Sequence, residues 1–419
     1  MRRFCRLNAA IVIALVGLSL SLPSGARAAD PIRIGLGMAQ TGALAANGKS
    51  ALLAMRIWKE TVNAKGGLLG RPVELVVYDD QSSPATVAGI YKSLIEVDKV
   101  DLVVSGYGTD MITPAMPVVI AHQLVFLSLF GLEINSGFHY PRYFTMTPTG
   151  PDAALAVSRG FFELAAAHAP KPKTLAMLVP ESASPRRAID GARRNAKAFH
   201  LRIVYDKPYP PNTADFAPVL RAVQATRPDA VFVLSSLTDT VGIVRAAAET
   251  GLKTGLFGGG MVGLQNSAIK TELGPLMNGI VNYDFWLPAP TMQFPGVLDF
   301  LKTYQARAPS DEVDPLGYYI APWAYAYLQV LGMAVEGAQS LDQDKLAEYL
   351  RANNFKTVIG DIKFGRDGEL AESHTVMVQF QRVTGNDIAE FRDARNPIVV
   401  WPEKYKIGDV IYPYDAARE

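Results

Sequence analysis

Short apolar segments of strand length alternate with helical segments, and the alternation runs through twice. In the first run, strands are predicted at 31–39, 73–78, 102–104 and 124–129, with helices at 48–64, 84–97 and 114–122 between them. Near 144–151 the rhythm restarts. Strands at 174–179, 202–205, 230–234 and 255–257 alternate with helices at 186–199, 216–226 and 240–250. Strand–helix–strand repetition implies a parallel sheet covered by helices on both faces. The fold class is therefore α/β, with two successive lobes built on parallel central sheets. The last third differs. Helices at 295–308, 318–338 and 342–353 precede strands at 360–364 and 375–381, so the chain is expected to cross between lobes three times. The expected division is 29–148 with 281–357 for the first lobe and 149–280 with 358–419 for the second. Several crossings make a hinge and suit rigid-body closure.

The first 28 residues stand outside that pattern. Arg2, Arg3 and Arg6 form a positive head, 11–22 is apolar apart from two serines, and Ala26-Arg27-Ala28 offers a small-residue cleavage signal. This is the arrangement of a secretory signal peptide, and its apolar run is shorter than the roughly 20 residues that span a bilayer. Cleavage would remove Arg2, Arg3, Arg6 and Arg27 and take the formal net charge from +1 to −3. It would also remove Cys5, the one cysteine, so disulfides, thiol nucleophiles and thiolate metal sites are not expected. The near-neutral balance argues against nucleic acid as a partner, because phosphate binding needs clustered Lys and Arg. An exported, periplasmic chain with no direct membrane insertion is the expectation.

Ligands of open parallel sheets sit beyond the carboxyl ends of the strands. That rule selects six small, polar or glycine-rich loops: 40–45, 106–110, 128–131, 181–185, 235–239 and 260–263. Any one of them is explained by helix capping alone; six facing one another across two lobes are what point to a cleft. Gly35-Leu36-Gly37 lacks the third glycine of a dinucleotide fingerprint, and neither a phosphate loop nor a Gly-x-Ser-x-Gly elbow occurs. The five histidines are scattered, and Asp79-Asp80 reads as a strand end. No cofactor and no catalytic constellation is expected.

The run Asn63-Ala64-Lys65-Gly66-Gly67-Leu68-Leu69-Gly70-Arg71-Pro72-Val73, followed by Tyr78-Asp79-Asp80, is the most specific stretch. With Ile32-Arg33-Ile34-Gly35, Thr41-Gly42, the segment 325–338 and Phe355 to Phe364 with Asp367-Gly368, it resembles the Leu/Ile/Val-binding type of periplasmic solute-binding proteins of ABC importers. The resemblance covers nearly all of the chain after residue 28. It implies a type I periplasmic-binding fold: two Rossmann-like lobes, three hinge crossings and a ligand buried between them. It also implies that Thr109, with Asp110 beside it, meets a ligand carboxylate, and that the Ser128 loop supplies further contacts. In amino-acid binders of this type an acidic residue follows Gly259-Gly260 and holds the ligand ammonium; here Met261 stands there. An ammonium buried without a carboxylate is poorly compensated.

The ligand-contact expectation is Thr41, Tyr107, Thr109, Asp110, Ser128, Phe130, Met261 and Trp286, with Phe285 as a further aromatic candidate. For each aromatic, core packing is the competing explanation. The function expected is capture of a small carboxylated, aromatic solute by a monomer that delivers it to permease subunits. Branched-chain amino acid import and ligand sensing for a signalling partner are the alternatives. A secreted enzyme is the third class, and the sequence offers it no catalytic set.

Overall fold

A computed structural model describes residues 29–181, 186–392 and 396–418; the segment expected to be a signal peptide lies outside the described residues, as does most of the 181–185 loop. The first sheet holds five strands: β1 (Ile32–Gly37), β2 (Val73–Tyr78), β3 (Leu102–Tyr107), β4 (Phe126–Leu129) and β5 (Tyr143–Thr145). Their order is β2-β1-β3-β4-β5, and every pairing is parallel. The second sheet is built on β6 (Thr174–Leu178), β7 (Arg202–Asp206), β8 (Ala230–Ser235), β9 (Leu256–Met261) and β10 (Val281–Asp284). It repeats the same order, β7-β6-β8-β9-β10, all parallel. A hairpin, β11 (Asn354–Thr357) and β12 (Gly360–Lys363), stands apart. The strands β13 (Val376–Gln379) and β14 (Ile398–Trp401) then extend the second sheet antiparallel.

The strands read as near-continuous apolar runs because helices bury both faces. β8 is buried at every position, and β3 at all but Tyr107. Helix Ala45–Asn63 buries Leu52, Leu53, Met55, Ile57 and Trp58, and it packs against helix Ala321–Ala338. The Tyr327 hydroxyl of that second helix donates to the carbonyls of Ser105 and Leu127 at 3.0 and 2.8 Å, tying it to the ends of β3 and β4.

The signature run has a structural reason. The Asn63 side chain closes a two-way bond with the backbone of Val73, its amide donating at 2.9 Å and its carbonyl accepting at 2.7 Å, and so sets where β2 begins. Gly67 has φ +83°, and a Cβ there would lie 1.8 Å from the Arg71 carbonyl oxygen. Only glycine allows that approach and that left-handed backbone.

Strand pairing shifts two expected boundaries. Val281–Asp284 pairs with β9, so the chain leaves the second lobe after that strand and not at 281. The hairpin, expected to be split at 357/358, packs as a unit on helix Ala321–Ala338 in the first lobe. Helix Ala153–Ala167, absent from the sequence reading, covers the second sheet. The crossings are 146–152, 285–296 and 364–375. The third is hydrogen-bonded to the end of β5 through Thr145 N to Gly368 O (2.8 Å) and to the first through His374 N to Pro148 O (2.7 Å).

Candidate functional site

Between the lobes, where the carboxyl ends of the two sheets face each other, lies a cavity of about 300 Å³. That is the lower end of the range of about 300–1,000 Å³ for small-molecule pockets. It suits a single-ring solute better than a nucleotide or a peptide.

The first-lobe wall is Tyr107, Gly108, Thr109, Asp110, Phe130 and Leu132, with Leu44 and Tyr319 from the helix ends. At Gly106 a Cβ would lie 2.4 Å from the Gly37 carbonyl, so the tip of β3 runs hard against β1, at the point where strand order reverses. Beyond it the chain turns through Gly108 (φ +92°) into the single turn Thr109–Ile112. The Thr109 hydroxyl accepts from Leu132 N at 3.0 Å, which leaves its own hydrogen to donate. Phe130 has φ +60°, an uncommon backbone state for a large side chain and a frequent one at binding sites.

The second-lobe wall is Val157, Val262, Tyr283 and Phe285, and the crossing residues Thr147, Pro148 and Thr149 close one end. The rings form one cluster across the lobes. Phe130 and Phe285 are 5.3 Å apart, edge to face. Phe130 and Tyr319 are 5.6 Å apart, and Phe285 stacks on Tyr319 at 6.0 Å. The Tyr107 and Tyr319 hydroxyls meet at 3.1 Å. Burial pushes the phenols of Tyr107, Tyr319 and Tyr283 up, so they stand as neutral hydrogen-bonding groups. The lobes also touch through Glu133 and Arg187, whose charges lie 2.6 Å apart.

One carboxylate lines this cavity, that of Asp110, and it is exposed on the first lobe. The second lobe does hold a buried acid near the wall, Asp284, but strand alternation turns it away from Tyr283 and Phe285. Burial pushes its carboxyl up to about 6, against the pull of the buried Lys270. Lys270 itself is shifted down by burial, against Asp284 and Asp314.

Of the expected contacts, Tyr107, Thr109, Asp110 and Phe130 line the cavity, as does Phe285. The other four are elsewhere. Thr41 is exposed and its hydroxyl donates to Asp79 at 2.7 Å. Asp79 also takes Gln40 N and Gln81 N, and although burial opposes it, these bonds hold its carboxyl below the usual range. Ser128 is sealed in the sheet with its hydroxyl 2.7 Å from that of Tyr143. Met261 is fully buried and its backbone is clasped by Asn282, while its neighbour Val262 reaches the cavity. Trp286 is fully buried, donates to Met292 O at 3.0 Å and packs edge-on to Tyr318. Both last misses are one residue out of register, which in a strand reverses the face. A larger groove of about 1020 Å³ lies outside the cleft, between helix Ala153–Ala167 and 400–410, and shares only Thr149 with it.

The sequence profile described as periplasmic binding protein matches residues 31–386. The chain belongs to the periplasmic binding protein family. Within it, the chain is similar to Leu/Ile/Val-binding proteins. It is 25% identical, over 374 residues, to the leucine-, isoleucine-, valine-, threonine-, and alanine-binding protein of Pseudomonas aeruginosa, covering 88% of this chain and 93% of that one. A solute-binding protein of an R. palustris ABC transporter, solved with benzoate, superposes with a TM-score of 0.69 at 16% identity, over 88% of this chain and 95% of the other. The branched-chain amino acid binding protein of Streptococcus pneumoniae, solved with isoleucine, gives 0.70 at 18%, over 89% and 100%. These likenesses establish the two-lobed type I fold of a periplasmic binding protein. Among the described residues, no helix is long and apolar enough to cross a membrane.

Proposed function

We propose that this periplasmic binding protein acts as a monomer that captures a small aromatic carboxylate between its lobes and presents it to the permease subunits of an ABC importer. The observation that carries the reading is the character of the second-lobe wall: Phe285 packs on Phe130, Tyr319 and Tyr283, and among the described residues no acid from that lobe lines the cavity. An aromatic ring slots among such edges with favourable geometry. A buried ammonium would lack a counter-charge there.

The ligand carboxylate is placed at the Gly108–Asp110 turn. There the Thr109 hydroxyl can donate, and the N–H groups of Thr109 and Asp110 precede the first bonds of the turn, which run from Met111 N and Ile112 N to Gly108 O. Closure over the ring excludes water and strengthens those bonds. Because the second-lobe wall is complete only when the lobes meet, the ligand binds the closed state best and shifts the population toward it.

The benzoate-bound neighbour supports this reading, and the name of the Pseudomonas aeruginosa relative supports the rival, branched-chain amino acid capture. A thermal-shift panel separates them. Benzoate and ring-substituted benzoates should raise the melting temperature at low millimolar concentration by mass action, and leucine, isoleucine and valine should not. Stabilisation by the amino acids with none by the aromatic acids would establish the rival.

A further inference from the structure

Beside the aromatic cavity lies a second, much smaller space of about 20 Å³. Val262 and Tyr319 line both, so the small space is an annex of the large one. A volume of about 10–15 Å³ is enough for one water-sized oxygen, so the annex holds one such group and no more.

Its polar lining is unevenly satisfied. Asp314 faces it with both oxygens occupied: one takes Ser267 N and Oγ at 2.9 and 2.7 Å, the other Leu316 N and Gly317 N at 2.9 and 3.0 Å. Gln265 is different. It is 5% exposed, its amide nitrogen is oriented by the Tyr283 carbonyl at 3.4 Å, and its Oε1 has no hydrogen-bond partner among the described residues. A buried acceptor left without a donor is costly, and its presence beside a ligand cavity asks for a donor from the ligand.

Tyr319, which lines both spaces, offers the reverse together with Tyr107 of the larger cavity. Tyr107 and Tyr319 share one hydrogen bond at 3.1 Å, so of their two hydroxyl hydrogens one remains free to donate.

We infer that the annex lined by Gln265 and Tyr319, with Tyr107 beside it on the cavity side, is a hydroxyl-reading subsite, which selects aromatic carboxylates bearing a ring hydroxyl. A hydroxyl both donates to Gln265 Oε1 and accepts from the tyrosine pair. A second carboxylate cannot donate, and an ammonium cannot accept. This deepens the aromatic-acid reading and rests on it. A site built to bond a hydroxyl rejects the analogue lacking it, since its own buried groups then go unpaired.

The test is calorimetric titration of the full chain, freed of the first 28 residues, with benzoate, 3-hydroxybenzoate, 4-hydroxybenzoate and phenylalanine. At least one hydroxybenzoate should bind about ten-fold or more tighter than benzoate. That ratio should fall to near 1 in Gln265→Met and fall markedly in Tyr319→Phe, each shown folded by circular dichroism; if one variant fails to fold, the other decides. Equal affinity for all the benzoates in the unmodified protein overturns the annex and leaves the aromatic-acid reading standing, as does a ratio unchanged in either folded variant. Binding of phenylalanine with no binding of any benzoate overturns both.

Discussion

The two walls of the cleft are built from the same strand order yet offer opposite chemistry. The first lobe brings the polar turn Gly108–Asp110 and the free donor of Thr109, all on one continuous parallel sheet. The second brings Val157, Val262, Tyr283 and Phe285, and keeps its charges, Lys270 and Asp284, sealed behind them. The difference teaches a division of labour. On the proposed function, the first lobe would anchor the ligand carboxylate and the second would close as an aromatic cover over the remainder of the ligand. A wall without charge can close tightly, because apolar burial carries no desolvation penalty.

Three variants would break or sharpen this contrast. The largest effect belongs to the charges hidden behind the second wall. Lys270→Met leaves Asp284 buried without its opposite charge and should lower unfolding stability at pH 8 by about 3–5 kcal/mol. Asp284 is an acid whose folded value, about 6, lies above its unfolded one. Its neutral form is therefore the favoured one, and the stability it contributes is present at low pH and lost as pH rises through 6. The deficit of the variant should thus shrink at pH 5. Denaturant titrations at both pH values check this; equal deficits would mean that Asp284 does not sense Lys270.

Phe285→Ala comes next. Removing the ring that spans Phe130 and Tyr319 should weaken benzoate by about a hundred-fold, in line with the about 2–3 kcal/mol of a buried aromatic face. It should weaken a short aliphatic acid such as butyrate far less. A uniform loss for both acids would show that the second wall does not read the ring. The smallest change is expected from Thr109→Ala on the opposite wall, about ten-fold in affinity, the value of one charge-assisted bond. Here the loss should be the same for butyrate and benzoate. Unchanged affinity would mean that the carboxylate sits elsewhere.

The fold was legible because its information is local. Each parallel strand announces itself as an apolar run, and Asn63 to Val73 carries a turn that only those residues make. Helix Ala153–Ala167 was missed because apolar and small residues cover nearly its whole circumference, leaving no stripe to read. β10 was missed because Val281-Asn282-Tyr283-Asp284 is short and half polar; Asn282 is buried there to bond Met261.

The cavity lining was legible on the first lobe, where the loop after β3 brings Tyr107, Thr109 and Asp110 to the wall. On the second lobe the choice between Met261 and Val262, and between Trp286 and Phe285, depends on which face of a strand looks into the cleft. No local pattern gives that until the strand is placed. Thr41 and Ser128 carry the right hydroxyls, but Asp79 and Tyr143 already hold them, and such distant pairings are invisible in sequence. Tyr319 and Gln265 gave no signal at all, since their role comes from tertiary proximity.

The proposed function requires that the cleft closes on a ring bearing a carboxylate and that its second-lobe wall offers no counter-charge to an ammonium. Paired titration calorimetry of benzoate and leucine against the same preparation at pH 7 tests it most directly. Saturable benzoate binding with a negative heat-capacity change, and no heat from leucine, is the result expected. Saturable leucine binding with benzoate silent would contradict it.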